Sequence, residues 1–85
     1  MEEVSEFHGL LKISHGTLTE NERCEILEFI EAEELNLAFE TLCNFLLVDN
    51  RRVTPELYVR IHSIGERLDG VDPYVVESIK AVIAD

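Results

Sequence analysis

Behind Thr54-Pro55, the apolar residues Leu57, Ile61, Ile64 and Leu68 recur at spacings of four, three and four. An α-helix puts side chains at those spacings on one face, and a strand does not. Thr54 supplies an N-cap oxygen, and Pro55 brings a pre-set φ to the first helical position, where no amide donor is needed. A helix is therefore predicted from Pro55 until Gly70 closes it. Asp72-Pro73 repeats the device and starts a last helix, Pro73 to about Ala84, that buries Val75 or Val76 with Ile79 and Val82 or Ile83. Gly65 lies inside the first of these helices at a cost of about 1 kcal/mol relative to alanine. Close packing against another helix explains it.

Upstream, Val4, Phe7, Leu10 and Leu11 make a stripe on a helix from Glu2 to Ile13, ended by Ser14-His15-Gly16. Thr19 and Glu22 have the spacing of a capping box, in which each side chain satisfies the other's free amide. They open a second helix, Glu20 to Glu31, with Cys24, Ile26, Leu27 and Ile30 inward. A third runs from about Glu33 to Val48, where Asp49-Asn50 stops it. Its inner face is Leu35, Ala38, Leu42, Phe45 and Leu46, and Leu37, Phe39 and Leu47 widen the apolar arc, so it should be central. Period-2 alternation never persists. With 85 residues, the expectation is one all-α domain over 1–85, a compact bundle of four to five short helices. A chain of this size buries only about 60–65% of its unfolded surface, which leaves little core to give up to a large cavity.

The charge pattern bears on function. Eighteen Asp and Glu face seven Lys and Arg, a net charge of −11. Seven of the fifteen residues from Glu20 to Glu34 are carboxylates, against one Arg23. Such a field repels itself, attracts a basic partner and speeds its arrival. Glu25, Glu28 and Glu31, three apart, share one predicted face. Glu31, Glu33 and Glu34 lie where they oppose the dipole of the second helix, so helix stability alone does not account for them. The sign is wrong for direct phosphate contact, which argues against nucleic acid as a ligand. The longest apolar stretches, such as Phe45 to Val48, are far short of the roughly 20 residues a membrane span needs. Met1-Glu2-Glu3 has no basic and apolar leader pattern. Cys24 and Cys43 read as small buried hydrophobes of a reducing compartment, with a disulfide between them left open. The expected location is the cytoplasm.

Catalytic and metal chemistry find little support. The acids fall on predicted exposed faces, whereas an acid–base pair needs one carboxyl in an apolar pocket. His8, His15 and His62 are scattered, and zinc needs about four converging ligands. Ser5, Ser14, Ser63 and Ser78 lack a nucleophile context, and Gly9, Gly16, Gly65 and Gly70 never form a phosphate loop. Asp69-Gly70-Val71-Asp72 lacks the alternating oxygens of a calcium loop. No enzyme, cofactor or metal is expected.

The run Leu37-Ala38-Phe39-Glu40-Thr41-Leu42-Cys43 leads to Leu46-Leu47 and Asp49, then through Thr54-Pro55-Glu56-Leu57-Tyr58 to Ile61, Ile64-Gly65 and Leu68. That order resembles the MafI-type small immunity proteins, which accompany toxins of contact-dependent inhibition and related polymorphic toxin systems. The resemblance covers the central and C-terminal two thirds, and Asn44 departs from the acid often found after the central leucine–cysteine pair. It implies a small helical, non-enzymatic antitoxin that binds a cognate toxin domain, commonly a nuclease, and blocks its active site. Separately, a monomer or weak dimer is expected, since the Leu57–Leu68 stripe feeds the core and only surplus apolar surface could support a dimer.

A nuclease groove is basic because it grips phosphates. On that expectation the first toxin-contact residues are Glu25, Glu28, Glu31, Glu33 and Glu34, with Asp49 and Glu56 second. Two rival readings are an acidic helical adaptor or regulatory protein for another basic partner and an acyl-carrier-like protein. The carrier would need an Asp-Ser-Leu helix start, where this chain has only His62-Ser63-Ile64.

Overall fold

The computed structural model describes residues 2–14, 16–48 and 51–83, with the side chains of Glu2 and Glu3 excepted. Five helices follow one another: α1 Glu2–Ile13, α2 Glu20–Glu31, α3 Leu35–Val48, α4 Pro55–Arg67 and α5 Pro73–Lys80. The described residues contain no strand, and Val53 forms an isolated parallel bridge with Ile83. The all-α bundle expected from the sequence is the fold observed. Its radius of gyration of 11.5 Å is close to the roughly 12 Å of a compact chain this long.

Packing follows the apolar stripes. α3 lies between α2 and α5, and α4 between α1 and α5. Phe39 is fully buried at the centre, with the Phe7 ring edge-on at 6.4 Å between centroids. The α4 stripe seats Leu57, Ile61 and Ile64 in the core and leaves Leu68 half-buried. Gly65 has the expected role. A β-carbon there would lie 3.1 Å from Phe39 Cζ and 3.2 Å from a Val76 methyl. α4 therefore comes close enough to α3 and α5 that a β-carbon at Gly65 would push Phe39 and Val76 back by a few tenths of an ångström.

Three boundaries differ from the sequence expectation. α3 begins at Leu35 rather than Glu33, because Glu33 has φ +61° and cannot be helical. α4 ends at Arg67, where Leu68 turns extended and Gly70, at φ +86°, makes the following turn. α5 stops at Lys80, well before Ala84, which lies outside the described residues. The chain is diverted there: the Val53 amide donates to the Val82 carbonyl at 3.2 Å, and Val53 is fully buried. The stop assigned to Asp49-Asn50 and the loop residue His15 also lie outside the described residues.

The caps behave as read, with one addition. Thr19 Oγ1 accepts the Glu22 amide at 3.1 Å, and Glu22 Oε1 accepts the Thr19 amide at 2.9 Å. Glu22 also receives both guanidinium nitrogens of Arg51, Nη1 on Oε1 and Nη2 on Oε2 at 2.7 Å. Arg51 Nη1 reaches the Thr17 carbonyl at 3.2 Å as well. One carboxylate thus caps α2 and ties its start to the segment after α3. Arg51's hydrogen bonds, foremost, hold the Glu22 carboxyl down at about 2, against an ordinary 4.5.

Two outcomes follow. Glu22→Gln keeps the cap but loses the ion pair, and should cost about 2 kcal/mol at pH 7, allowing for the water that still reaches the pair. Because the folded pKa is the lower one, that contribution is full above pH 4.5 and is lost as pH falls toward 2. Urea midpoints of the two proteins should converge over that interval, and a gap unchanged at pH 2 contradicts the assignment. Gly65→Val should destabilise by about 1–3 kcal/mol through overpacking. A neutral result in thermal melts would show that the close approach is not required.

Candidate functional site

The acidic block starts from a capped helix and ends in a turn. Along α2, Ile26 and Ile30 are buried, while Glu25, Glu28 and Glu31 are exposed on the opposite side. Helical rotation of about 100° per residue accounts for this division. It also corrects the placement of Cys24, which was expected inward. Cys24 is about 200° from Ile26 around the helix, and it is exposed and unpaired. Cys43 is the buried one, its thiol pushed up to about 12, first by burial and then by the charge of Glu40.

Glu33 and Glu34 form the junction between α2 and α3. The Glu33 amide donates to the Ile30 carbonyl at 3.0 Å and the Glu34 amide to the Phe29 carbonyl at 2.9 Å. This is a Schellman closure, and its left-handed position, most often glycine, is held by Glu33. The Glu34 carbonyl then accepts the Ala38 amide at 3.0 Å and so starts α3. The two acids therefore face dipoles of opposite sign, the negative end of α2 and the positive end of α3. The sequence accounted only for the first.

Glu25, Glu28, Glu31, Glu33 and Glu34 are all exposed, and none forms an ion pair among the described residues. An open groove of about 400 Å³ adjoins the junction, lined by Glu33, Glu34 and Asp69 together with Leu35, Leu37 and Leu68. The Asn36 side-chain amide donates to the Asp69 carbonyl and fastens the loop after α4 to the start of α3. Leu37, expected to widen the buried arc, is 44% exposed.

Of the two second-choice residues, Glu56 alone is among the described ones. Glu56 is exposed in the first turn of α4, a helix that packs chiefly on α1 and α5. Asp49 lies outside the described residues. Asp69 and Leu37 escaped sequence reasoning because an acid in a turn and a leucine in a helix carry no local mark of a shared groove. Of the other candidate groups, His62 Nδ1 meets Glu66 at 3.2 Å on the surface of α4, and Ser63 is half-buried in mid-helix. Among the described residues no three His, Cys, Asp or Glu are grouped to hold a metal ion, and no helix is long and apolar enough to cross a membrane.

Comparison of the chain with protein-family models, curated proteins and solved structures returns no match.

Glu33 offers a direct check on that surface. A left-handed conformation costs a residue with a β-carbon roughly 1–2 kcal/mol. Glu33→Gly should raise stability by about 1 kcal/mol, or the melting temperature by about 4–8 °C. A lower melting temperature would mean that the Glu33 side chain supports the fold.

Proposed function

We propose that this chain is an immunity protein that neutralises a cognate toxin nuclease by presenting the α2 acids and the α2–α3 junction to the toxin's basic surface. One observation carries the reading: five consecutive acids of the block, Glu25 to Glu34, are exposed and unpaired. A set of like charges without counter-charges lowers the stability of the free protein and is offset when a cationic partner arrives. Nucleases hold phosphates with Lys and Arg, so their substrate groove has the complementary sign. Blocking that groove needs no catalytic group on the inhibitor. The resemblance to MafI-type proteins, carried by the run from Leu37 to Leu68, points to the same class of partner from different residues.

In this mechanism the unscreened field steers encounter, and short-range contacts at Glu28, Glu31, Glu33 and Glu34 set the lifetime of the complex. Leu37 and Leu68, which line one groove with Glu33, Glu34 and Asp69, offer apolar area for the stem of a partner Arg or Lys. The test is charge reversal. Glu28→Lys with Glu31→Lys should weaken binding to the cognate toxin at least tenfold, or about 1.4 kcal/mol, and flatten its salt dependence. Unchanged affinity and unchanged salt dependence would remove α2 from the interface.

A further inference from the structure

α1 and α2 are consecutive, yet α1 packs chiefly on α4 and α2 on α3. Between them lies an open cleft of about 350 Å³, within the size range of small-ligand sites. Leu11 and Leu27 supply its apolar lining, and Lys12 and Arg23 its fixed positive charge, with His8 beside them. Glu20 is the one carboxylate there. In a chain with eighteen acids and seven bases, the local balance is inverted. Arg23 adds an independent observation. Its Nε is buried without a hydrogen-bond partner, the sole side-chain nitrogen or oxygen in that state among the described residues. A buried donor left unsatisfied costs about 1–3 kcal/mol, and more when it is charged. The Nε itself is closed off, so an anion in the cleft would meet Arg23 through its terminal guanidinium nitrogens.

We propose that the α1–α2 cleft binds a small amphipathic anion, a carboxylate on a short aryl or alkyl body. The carboxylate meets Arg23 and Lys12, and the body lies on Leu11 and Leu27. This site adjoins the acidic face, since Cys24 and Leu27 lie one helical turn from Glu28 and Glu31, but it does not depend on the toxin-binding reading. Its cationic lining selects against the basic partner that the rest of the molecule attracts.

Cys24 borders the cleft and is exposed, whereas Cys43 is fully buried, so thiol exchange reports on this site alone. The experiment compares two disulfide reagents on the native chain: dithiobis(nitrobenzoate), which carries two aryl carboxylates, and cystamine, which carries two ammonium groups. In each, the Cys24 thiolate attacks one sulfur, a mixed disulfide forms, and the other half leaves as a thiolate. Rates are followed by released thiolate or intact mass, and are divided by the rate with the uncharged thiol N-acetylcysteine amide. Cys24→Ser supplies the blank.

The normalised rate with the anionic reagent should exceed that with cystamine by at least about threefold at low salt and fall toward parity as salt screens the cleft. Millimolar hexanoate should slow the anionic reagent, and hexylammonium should not. Lys12→Gln with Arg23→Gln should reverse the preference, because removing two positive charges from a chain of net charge −11 leaves the acidic field unopposed in the cleft. Lys12, exposed on α1, can be changed alone if the double variant melts early. Faster reaction with cystamine, an anionic rate that rises with salt, no slowing by hexanoate, or an anionic preference unaltered in Lys12→Gln would each overturn the proposal.

Discussion

The bundle depends on the close approach at Gly65. Phe39 on α3 occupies the space that a side chain at Gly65 would fill, touches the Phe7 ring on α1 edge-on, and lies beside Val76 of α5 at the same point. Four of the five helices thus meet around one buried ring. α2 is the exception. It packs on α3, and its start is fixed by the Glu22–Arg51 pair and the capping box. α2 can carry a strongly charged outer face because Ile26 and Ile30 alone seat it fully in the core, leaving most of its circumference to solvent.

That division of labour explains where the charge sits. Self-repulsion is least costly on a helix with one narrow buried stripe, and most costly between packed helices. The junction adds a second sacrifice, since Glu33 stands where glycine would relax the backbone. Strain of this kind persists only where surrounding structure holds it, and such positions cluster at functional sites. Charge and strain therefore coincide at the α2–α3 turn, beside the groove that contains Leu37 and Leu68.

Much of the fold was legible in the sequence, because the signals that define it are local. Thr19 with Glu22, Thr54-Pro55 and Asp72-Pro73 each announce a helix within four residues, and all three act as caps. What escaped is non-local or disguised. Arg51 reaches Glu22 across 29 positions, and no spacing rule pairs them. α5 is cut short by Val53, some thirty residues away in sequence. Glu33 disguises a helix end, since glutamate favours helix and glycine or asparagine is the usual mark of a left-handed turn. Cys24 has the composition of a core residue, yet its position about 200° around α2 from Ile26 puts it in solvent. The acids of the candidate site were legible as a run, but their grouping with Asp69 across the α4–α5 loop required the fold.

The central claim is that exposed acids on this chain disarm a toxic basic protein. The most direct measurement is growth of cells expressing the basic protein that this chain captures, alone and together with the native chain or its Glu28→Lys, Glu31→Lys variant. The account predicts arrest by the captured protein alone, rescue by the native chain, and loss of rescue by the folded variant. A captured protein without toxicity, or equal rescue by both forms, would contradict it.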